Sequence, residues 1–254
     1  MPHALISWRL DQRNGLVISN LAKASPGYTG PSNVRGHPQS SPTRNEHQGA
    51  YCGSSRKTPI LRLLQGLIVL MTLASWGHRA AAGDSLAMSG QVAMLVREIG
   101  IATPDERHET SSWEEWVKQE ERRRTLWVAY AQFNLQCIAY NVLLMILNQE
   151  VLLTLPACGE EWNAPNPQKW RQMRSLHTPD SRNFQQALGQ LLQGHQIHEP
   201  EAVSAFANYV LIHGLFQEIF FARSTTSLVE QSTGSLPMSF MQAMESALRA
   251  WQNS

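Results

Sequence analysis

Apolar residues recur at helical spacing along the central stretch of the chain, residues 112–140, and no Pro or Gly interrupts them. Ser112 followed three residues later by Glu115 predicts a capping box at the helix start. Glu114 would lie in the first turn, where negative charge suits the helix dipole. The pattern therefore predicts one long helix, whose apolar face comprises Trp113, Trp116, Val117, Trp127, Ala131, Leu135, Ile138 and Ala139.

Charged residues interrupt this apolar face between Val117 and Trp127. The next positions on the stripe are Glu120, Arg123 and Arg124. An unpaired buried charge is costly, so we predict a structural ion-pair cluster in which Glu120 pairs with Arg123 or Arg124. The planar guanidinium suits both carboxylates and indole rings. The alternative is a solvated charge run on a surface helix. The tryptophans predicted to flank the cluster are Trp113, Trp116 and Trp127.

Residues 113–125 resemble the signature of the fungal-specific transcription factor domain, the all-helical middle region downstream of zinc fingers in fungal regulators. Residues 139–141 followed by 153–164 resemble the same family, as do residues 208–215 followed by 247–252. The resemblance covers roughly Leu61 to Ser254. It is closest to the subgroup with two Cys2His2 fingers or a zinc cluster near the N-terminus. It implies a nuclear protein that directs RNA polymerase II transcription.

The most apolar run, residues 60–76, is interrupted by Arg62, Gln65 and Gly66 and is short for a membrane span. A helix apolar nearly all round is typical of the central core of a bundle, which is our interpretation, and the resemblance makes it the first core helix. A membrane anchor is the alternative. Asp84 or Ser85 is predicted to cap a second helix over 86–99.

The second half of the chain predicts an extended segment and three more helices. Residues 151–156 read as extended and end at Pro156. Helices are predicted over 183–193, from Glu199 onward, and over 235–252. The last helix stops in mid-pattern, as expected of a chain truncated at its C-terminus. The predicted fold is thus an all-α helical bundle over residues 60–254.

The N-terminal segment, residues 1–59, differs in composition. It is rich in Ser, Gly, Pro and Asn, has no helical periodicity, and carries more basic than acidic residues. This composition predicts a disordered basic tail. Members of the resembled family place paired zinc ligands here, but this segment offers only Cys52, with His37 and His47 nearby. The zinc and DNA contacts implied by the resemblance therefore have no motif here, which suggests a fragment or a form that works without its own finger.

Charge and candidate chemistry give little support to an enzyme. The formal net charge is +1, and three scattered cysteines argue against a disulfide framework. His195 and His198 have a spacing that could hold a metal, but Gly194 and Pro200 favour a plain loop. His213 and Cys137 lie among apolar residues and are interpreted as core side chains. We therefore expect no catalytic or metal-binding residues, no identified DNA-binding residues and no cofactor in this chain, with zinc confined to full-length relatives.

Two functional hypotheses follow. The first is a nuclear transcription regulator, a fragment or finger-less form, that contacts the transcriptional machinery or a regulator partner through its helical domain. It would reach DNA only through a missing zinc-finger module, would not bind membranes, and leaves a homodimer open. The second is a helical interaction or membrane-associated protein anchored by residues 60–76. Subcellular fractionation distinguishes them.

Overall fold

The computed structural model describes residues 49–77, 79–105, 112–176, 182–197, 203–229 and 236–254. Within these ranges the regular structure is helical, apart from one isolated β-bridge between Thr154 and Asn183, which confirms the predicted all-α fold. The α-helices are α1 (Gly49–Trp76), α2 (Ala82–Ile99), α3 (Trp113–Tyr140), α4 (Gly159–Trp162), α5 (Pro167–Leu176), α6 (Phe184–Leu192), α7 (Ala205–Val229) and α8 (Met238–Gln252).

Helix α3 is the central element, with the predicted limits. The Glu115 amide donates to Ser112 Oγ at 3.3 Å, and the Ser112 amide donates to Glu115 Oε2 at 3.2 Å, so the predicted capping box is confirmed. The helix ends where Asn141 adopts a left-handed conformation, with φ of 51°. Its second half is buried on several sides, which indicates that the other elements pack around it.

Helix α1 lies at the edge of the bundle, so its interpretation as a central core helix is wrong. Leu64 and Met71 are fully buried against α2 and α3, whereas Leu70 and Leu73 are more than half exposed. An apolar composition nearly all round did not reveal that neighbours cover only one side of this helix. The helix also begins at Gly49, within the segment predicted to be disordered; the rest of that prediction, residues 1–48, lies outside the described residues.

The predicted non-helical segment over residues 151–156 is confirmed, but it does not end at Pro156 and continues through Ala157; residues 151–157 are called the extended segment below. Its amides are satisfied by long-range partners: Leu152 donates to Ile101 O at 3.0 Å, and Leu155 donates to Arg182 O at 3.0 Å. In return the Phe184 amide donates to Leu153 O at 3.0 Å. The segment therefore joins the end of α2 to the start of α6, and its side chains enter the core.

Helices α6, α7 and α8 complete the bundle. At Gly214 of α7 a Cβ atom would lie 3.0 Å from Leu188 Cδ1 and 3.1 Å from Phe184 Cζ, so α6 packs closely here and a larger residue would require these two side chains to shift. The Trp251 indole of α8 donates to Asn208 O at 2.9 Å. The predicted start of α7 at Glu199 lies outside the described residues, but residues 203 and 204 are not helical and the helix begins at Ala205, later than predicted.

Two other boundaries also differ from the sequence prediction. Helix α2 begins at Ala82, before the predicted caps Asp84 and Ser85, and buried Ser85 instead donates to Met71 O of α1 at 3.0 Å. Helix α5 was not predicted, because its sequence is largely polar and Trp170 is its buried residue. Tertiary contacts, rather than local signals, set both elements.

Candidate functional site

The charged interruption of α3 forms the most organised polar cluster in the described part of the chain. Glu120, Arg123 and Arg124 are spaced i, i+3 and i+4, which places all three on one side of the helix. Glu120 is 0% exposed and Arg123 is 1% exposed. These charges therefore lie inside the protein, and the alternative of a solvated surface run does not describe them.

Glu120 is the centre of the cluster. Its Oε2 atom accepts a hydrogen bond from Arg123, and its Oε1 atom accepts one from Arg124 Nε at 2.9 Å. The backbone amide of Ala157 also donates to Oε1, at 2.8 Å, and Arg124 Nη2 donates to Ala157 O at 2.7 Å. Both arginines pair with the glutamate, and the pair clamps the extended segment onto α3.

Asp105 and Arg122 belong to the same cluster, although the sequence pattern predicted neither of them as a member. Arg123 Nε donates to Asp105 Oδ2 at 2.6 Å, and Arg122 Nη1 lies 3.5 Å from Asp105 Oδ1. The Thr154 hydroxyl donates to Asp105 Oδ2 at 3.3 Å. Asp105 lies in a loop, in a polar run without periodicity, so no local signal identified it.

Arg122 extends the cluster to the end of α2. Its Nε atom donates to Ile99 O at 3.1 Å, and its Nη2 atom donates to Gly100 O at 2.8 Å. A guanidinium at these last carbonyls satisfies acceptors that the helix leaves unpaired and opposes the negative end of its dipole. The cluster thus ties together α2, α3 and the extended segment.

The three tryptophans predicted to flank the cluster do not lie together beside the arginines. Trp116 packs on Trp170 of α5, with ring centroids 5.4 Å apart, and Trp113 joins this satellite cluster. Trp127 lies in the main core and donates to Thr154 O at 3.1 Å. The aromatic rings that face the Arg124 guanidinium belong to other elements: Trp162 at 4.9 Å and Phe206 at 5.5 Å from Cζ to the ring centroid.

Electrostatic interactions explain why these arginines remain charged in the protein interior. Burial lowers the pKa of Arg123, but Glu120 and Asp105 raise it by more, and the net direction is upward. Burial lowers the pKa of Arg124, although Glu120 opposes that effect. Guanidinium groups lose no proton near neutral pH. The three guanidiniums and two carboxylates therefore hold one another in fixed positions, which suits a structural clamp rather than proton transfer.

The other candidate residues lie elsewhere. Buried His213 makes an edge-to-face contact with Tyr209, at 4.7 Å between ring centroids, and its Nε2 atom has no hydrogen-bond partner among the described residues. Burial lowers the pKa of His213 to about 4. His195 is exposed, whereas its proposed partner His198 lies outside the described residues. Cys137 is buried, as predicted, and burial raises the pKa of its thiol.

Two further properties of the described residues concern metal binding and membrane insertion. Among the described residues, no group of three or more His, Cys, Asp or Glu side chains could hold a metal ion. Two helical stretches, Thr58–Trp76 and Ala205–Ser224, are long and apolar enough to cross a membrane by length and composition alone. Both stretches contribute buried side chains to the bundle core.

Comparisons with known proteins give one family match. Comparisons with curated proteins and with solved structures returned no match. The family model of the fungal-specific transcription factor domain matches residues 37–253, which include all three stretches on which the sequence resemblance rests. With its helical fold, its buried charge cluster on α3 and a match over most of its length, the chain belongs to the fungal-specific transcription factor domain family.

Proposed function

We propose that this chain is a nuclear regulator of RNA polymerase II transcription that acts through protein contacts of its helical domain. The observation that carries the proposal is the family match over residues 37–253. The internal charge cluster supports it, because Glu120 and its arginines are occupied with one another and with backbone groups. Such a cluster stabilises a scaffold and offers no nucleophile or general base.

DNA recognition is proposed to come from outside this stretch of sequence. No Cys-x2-Cys and no His-x3-His occurs in the 254 residues, and a structural zinc site needs four such ligands. The formal net charge of +1 gives no general attraction to phosphate backbones. We therefore propose that a zinc-finger module is supplied by a partner or by a further part of the protein, or that the chain works without its own finger.

Tethering tests the regulatory role directly. The chain is fused to a bacterial DNA-binding domain in a fungal host, and a reporter is placed behind the matching operator. We expect reporter output to move at least threefold, up or down, from that of the DNA-binding domain alone. Glu120→Ala should abolish the change because it disrupts the clamp, whereas Glu245→Ala, in an exposed pair with Arg249, should keep it. Unchanged output from a folded, nuclear fusion would contradict the proposal.

Co-expression tests whether the chain shares a binding partner with other members of the family. Co-expression with a finger-bearing member of the family should alter the output of that relative's own reporter if the two compete for one partner. The same Glu120→Ala and Glu245→Ala variants serve as inactive and active controls. Unchanged output at high expression would count against competition while leaving the tethering result intact.

The second candidate, a membrane-associated protein anchored by residues 60–76, is favoured by one observation: α1 exposes several large apolar side chains. Its inner face nevertheless binds the bundle through polar contacts, among them Gln65 Nε2 to Glu121 Oε1 at 3.0 Å. We therefore expect alkali extraction to release the protein from any membrane fraction. Retention after alkali would favour the anchor.

A further inference from the structure

The outward face of α1 carries an apolar stripe with coiled-coil spacing. Leu63, Gly66, Leu70 and Leu73 follow one another at intervals of three, four and three, which are the a and d positions of a heptad. They lie opposite the inward stripe, whose members Leu64, Ile68, Met71 and Ser75 are buried in the bundle. The helix therefore presents two seams, and the bundle covers one of them.

The positions beside the outward stripe are apolar as well. In a solvated coiled coil they are commonly charged, but here Val69 and Trp76 lie on one flank and Leu67 on the other. Val69 is 58% exposed and Trp76 is 48% exposed. From residue 58 to residue 76 the charged side chain is Arg62. A face of this kind is unusual on an isolated soluble protein.

We propose that this outward face of α1 is a homodimer interface, on which α1 of a second copy packs antiparallel about a two-fold axis. The sequence of the stripe is self-complementary in that arrangement. With the axis level with residue 68, Leu70 of one copy lies over Gly66 of the other, and Leu63 meets Leu73. Gly66 can receive the leucine because nothing lies within 4 Å of the place where its Cβ would be.

Packing favours the antiparallel arrangement over the parallel one. In a parallel pair Gly66 would lie opposite Gly66 of the second copy and leave a gap, whereas in the antiparallel pair Leu70 fills that space. Arg62 lies 4.0 Å from Glu121 of its own chain, which directs the guanidinium away from the seam.

The available area fits a weak, reversible dimer. Five large apolar side chains of α1 are about half exposed: Leu63, Val69, Leu70, Leu73 and Trp76. Together they offer on the order of 500 Å² per copy, so that pairing would bury at most roughly 1,000 Å². Interfaces of about this size belong to transient complexes.

A bilayer is a less suitable occupant of this face. Insertion of α1 across a membrane would detach its inward seam, where Ser75 and Ser85 hydroxyls lie 2.6 Å apart and Gln136 Nε2 donates to both. Those buried polar groups would lose their partners in α2 and α3, which is unfavourable because the bilayer core offers no replacement hydrogen bonds. Pairing with a second copy leaves this network intact.

One substitution at the stripe and one matched substitution elsewhere test the dimer in the chain of 254 residues. Sedimentation equilibrium should show a monomer–dimer equilibrium for the wild type, and Leu70→Glu should raise the dimer Kd at least tenfold. The matched control is Leu143→Glu, which places the same charge on an 81% exposed leucine outside α1 and should dimerise like the wild type. A wild-type chain that stays monomeric up to 100 µM would overturn the proposal and leave another segment or partner as the cover.

Gly66→Leu distinguishes the proposed packing of Leu70 on Gly66 from non-specific hydrophobic association. It fills open space in the monomer, so folding should be unaffected, and it makes the stripe more apolar. Dimerisation should be lost because the new side chain occupies the space at Gly66 into which Leu70 of the second copy would pack. If dimerisation or co-flotation with vesicles of phosphatidylcholine and phosphatidylserine instead increased, the proposed interface would be wrong. A circular dichroism melt of each variant checks that it is folded.

Cysteine cross-linking tests the direction of pairing. In the antiparallel arrangement, oxidation of a mixture of Leu63→Cys and Leu73→Cys chains should give a cross-linked dimer above the level of identically treated wild type. Either variant oxidised alone should stay at that level. Strong cross-linking of each variant alone would indicate parallel pairing and contradict the model of Leu70 over Gly66. None of these readouts depends on transcriptional activity.

Discussion

At the scale of single residues, the fold depends on charges that are buried together. Glu120 is fully buried and accepts from two guanidiniums and one backbone amide. Replacing such a pair by apolar groups can cost little, but removing Glu120 alone leaves the largely buried Arg124 without its counter-charge. The cluster is therefore sensitive to single substitutions at its centre.

We expect Glu120→Ala to lower the free energy of unfolding by about 3–5 kcal/mol, since it leaves Arg124 without its carboxylate and Ala157 without its acceptor. Urea denaturation at pH 7 measures the change. The matched control is Glu245→Ala, which breaks an exposed i,i+4 pair with Arg249 and should change stability by less than about 1 kcal/mol. Equal effects of the two substitutions would show that the buried cluster does not stabilise the fold.

His213 should make stability depend on pH. Burial lowers the pKa of the folded-state imidazole to about 4, below the value of about 6.5 for an unfolded histidine. Between these values the unfolded chain binds the proton and the folded chain does not, so stability falls as pH decreases from 6.5 to 4. From pH 7 to pH 5 this residue should remove about 2 kcal/mol.

The His213 prediction is measured by urea denaturation of wild type and His213→Gln at both pH values. The difference between the two proteins should shrink or reverse at pH 5, because the variant lacks the titrating group. Parallel pH profiles of wild type and His213→Gln would contradict a buried neutral imidazole.

At the scale of elements, the ends of the helices carry most of the local information. Helix α2 contains one glycine at its C-terminal end and another in its interior, and the two differ. Its C-terminus is closed by Gly100, which adopts φ of 108° and donates its amide to Val96 O at 3.2 Å. Gly90, in the interior of the same helix, has open space around it. The two glycines should therefore respond in opposite ways to the same substitution.

We expect Gly100→Ala to destabilise the protein by roughly 1–3 kcal/mol, because a positive φ is strained for alanine and the new Cβ would lie 2.9 Å from Thr103 Oγ1. Gly90→Ala should stabilise it by about 0.5–1 kcal/mol through helix propensity. Thermal denaturation of both variants is the measurement. The assignment of the α2 terminus would be wrong if both alanines stabilised the protein.

At the scale of the whole molecule, α3 is enclosed by other elements, whereas α8 covers α6 and α7 from the outside. Helix α3 contacts α1, α2, α7 and the extended segment, and Trp127, Tyr130 and Phe133 are almost completely buried. In α8 the buried residues are Met244, Ala247 and Ala250. Because α3 is more deeply buried than α8, we expect α8 to unfold locally while α3 unfolds only with the whole protein.

In native-state hydrogen exchange we expect the amides of residues 123–137 to exchange slowest, through global unfolding alone. Amides of α8 should exchange faster, because that helix can detach without exposing α3. Exchange monitored by mass spectrometry resolves the two segments. If α8 were as strongly protected as α3 under all conditions, α8 would have to be part of the central cooperative unit.

The sequence by itself determined the elements whose signals are local. A capping box needs residues three apart, so the start of α3 at Trp113 followed from Ser112 and Glu115. The partners of Glu120 lie three and four residues along the same helix, which places them within reach of the glutamate as soon as the helix forms. The family signature is likewise written in consecutive residues of α3.

Only the tertiary structure decided which distant residues meet and which faces remain uncovered. Asp105 joins Arg123 from a loop that has no periodicity, and Trp162 and Phe206, rather than the tryptophans of α3, lie over Arg124. Helix α1 looked central by composition, yet Leu70 and Leu73 face outward. Periodicity reports which side of a helix is apolar, but burial depends on the neighbours that long-range packing provides.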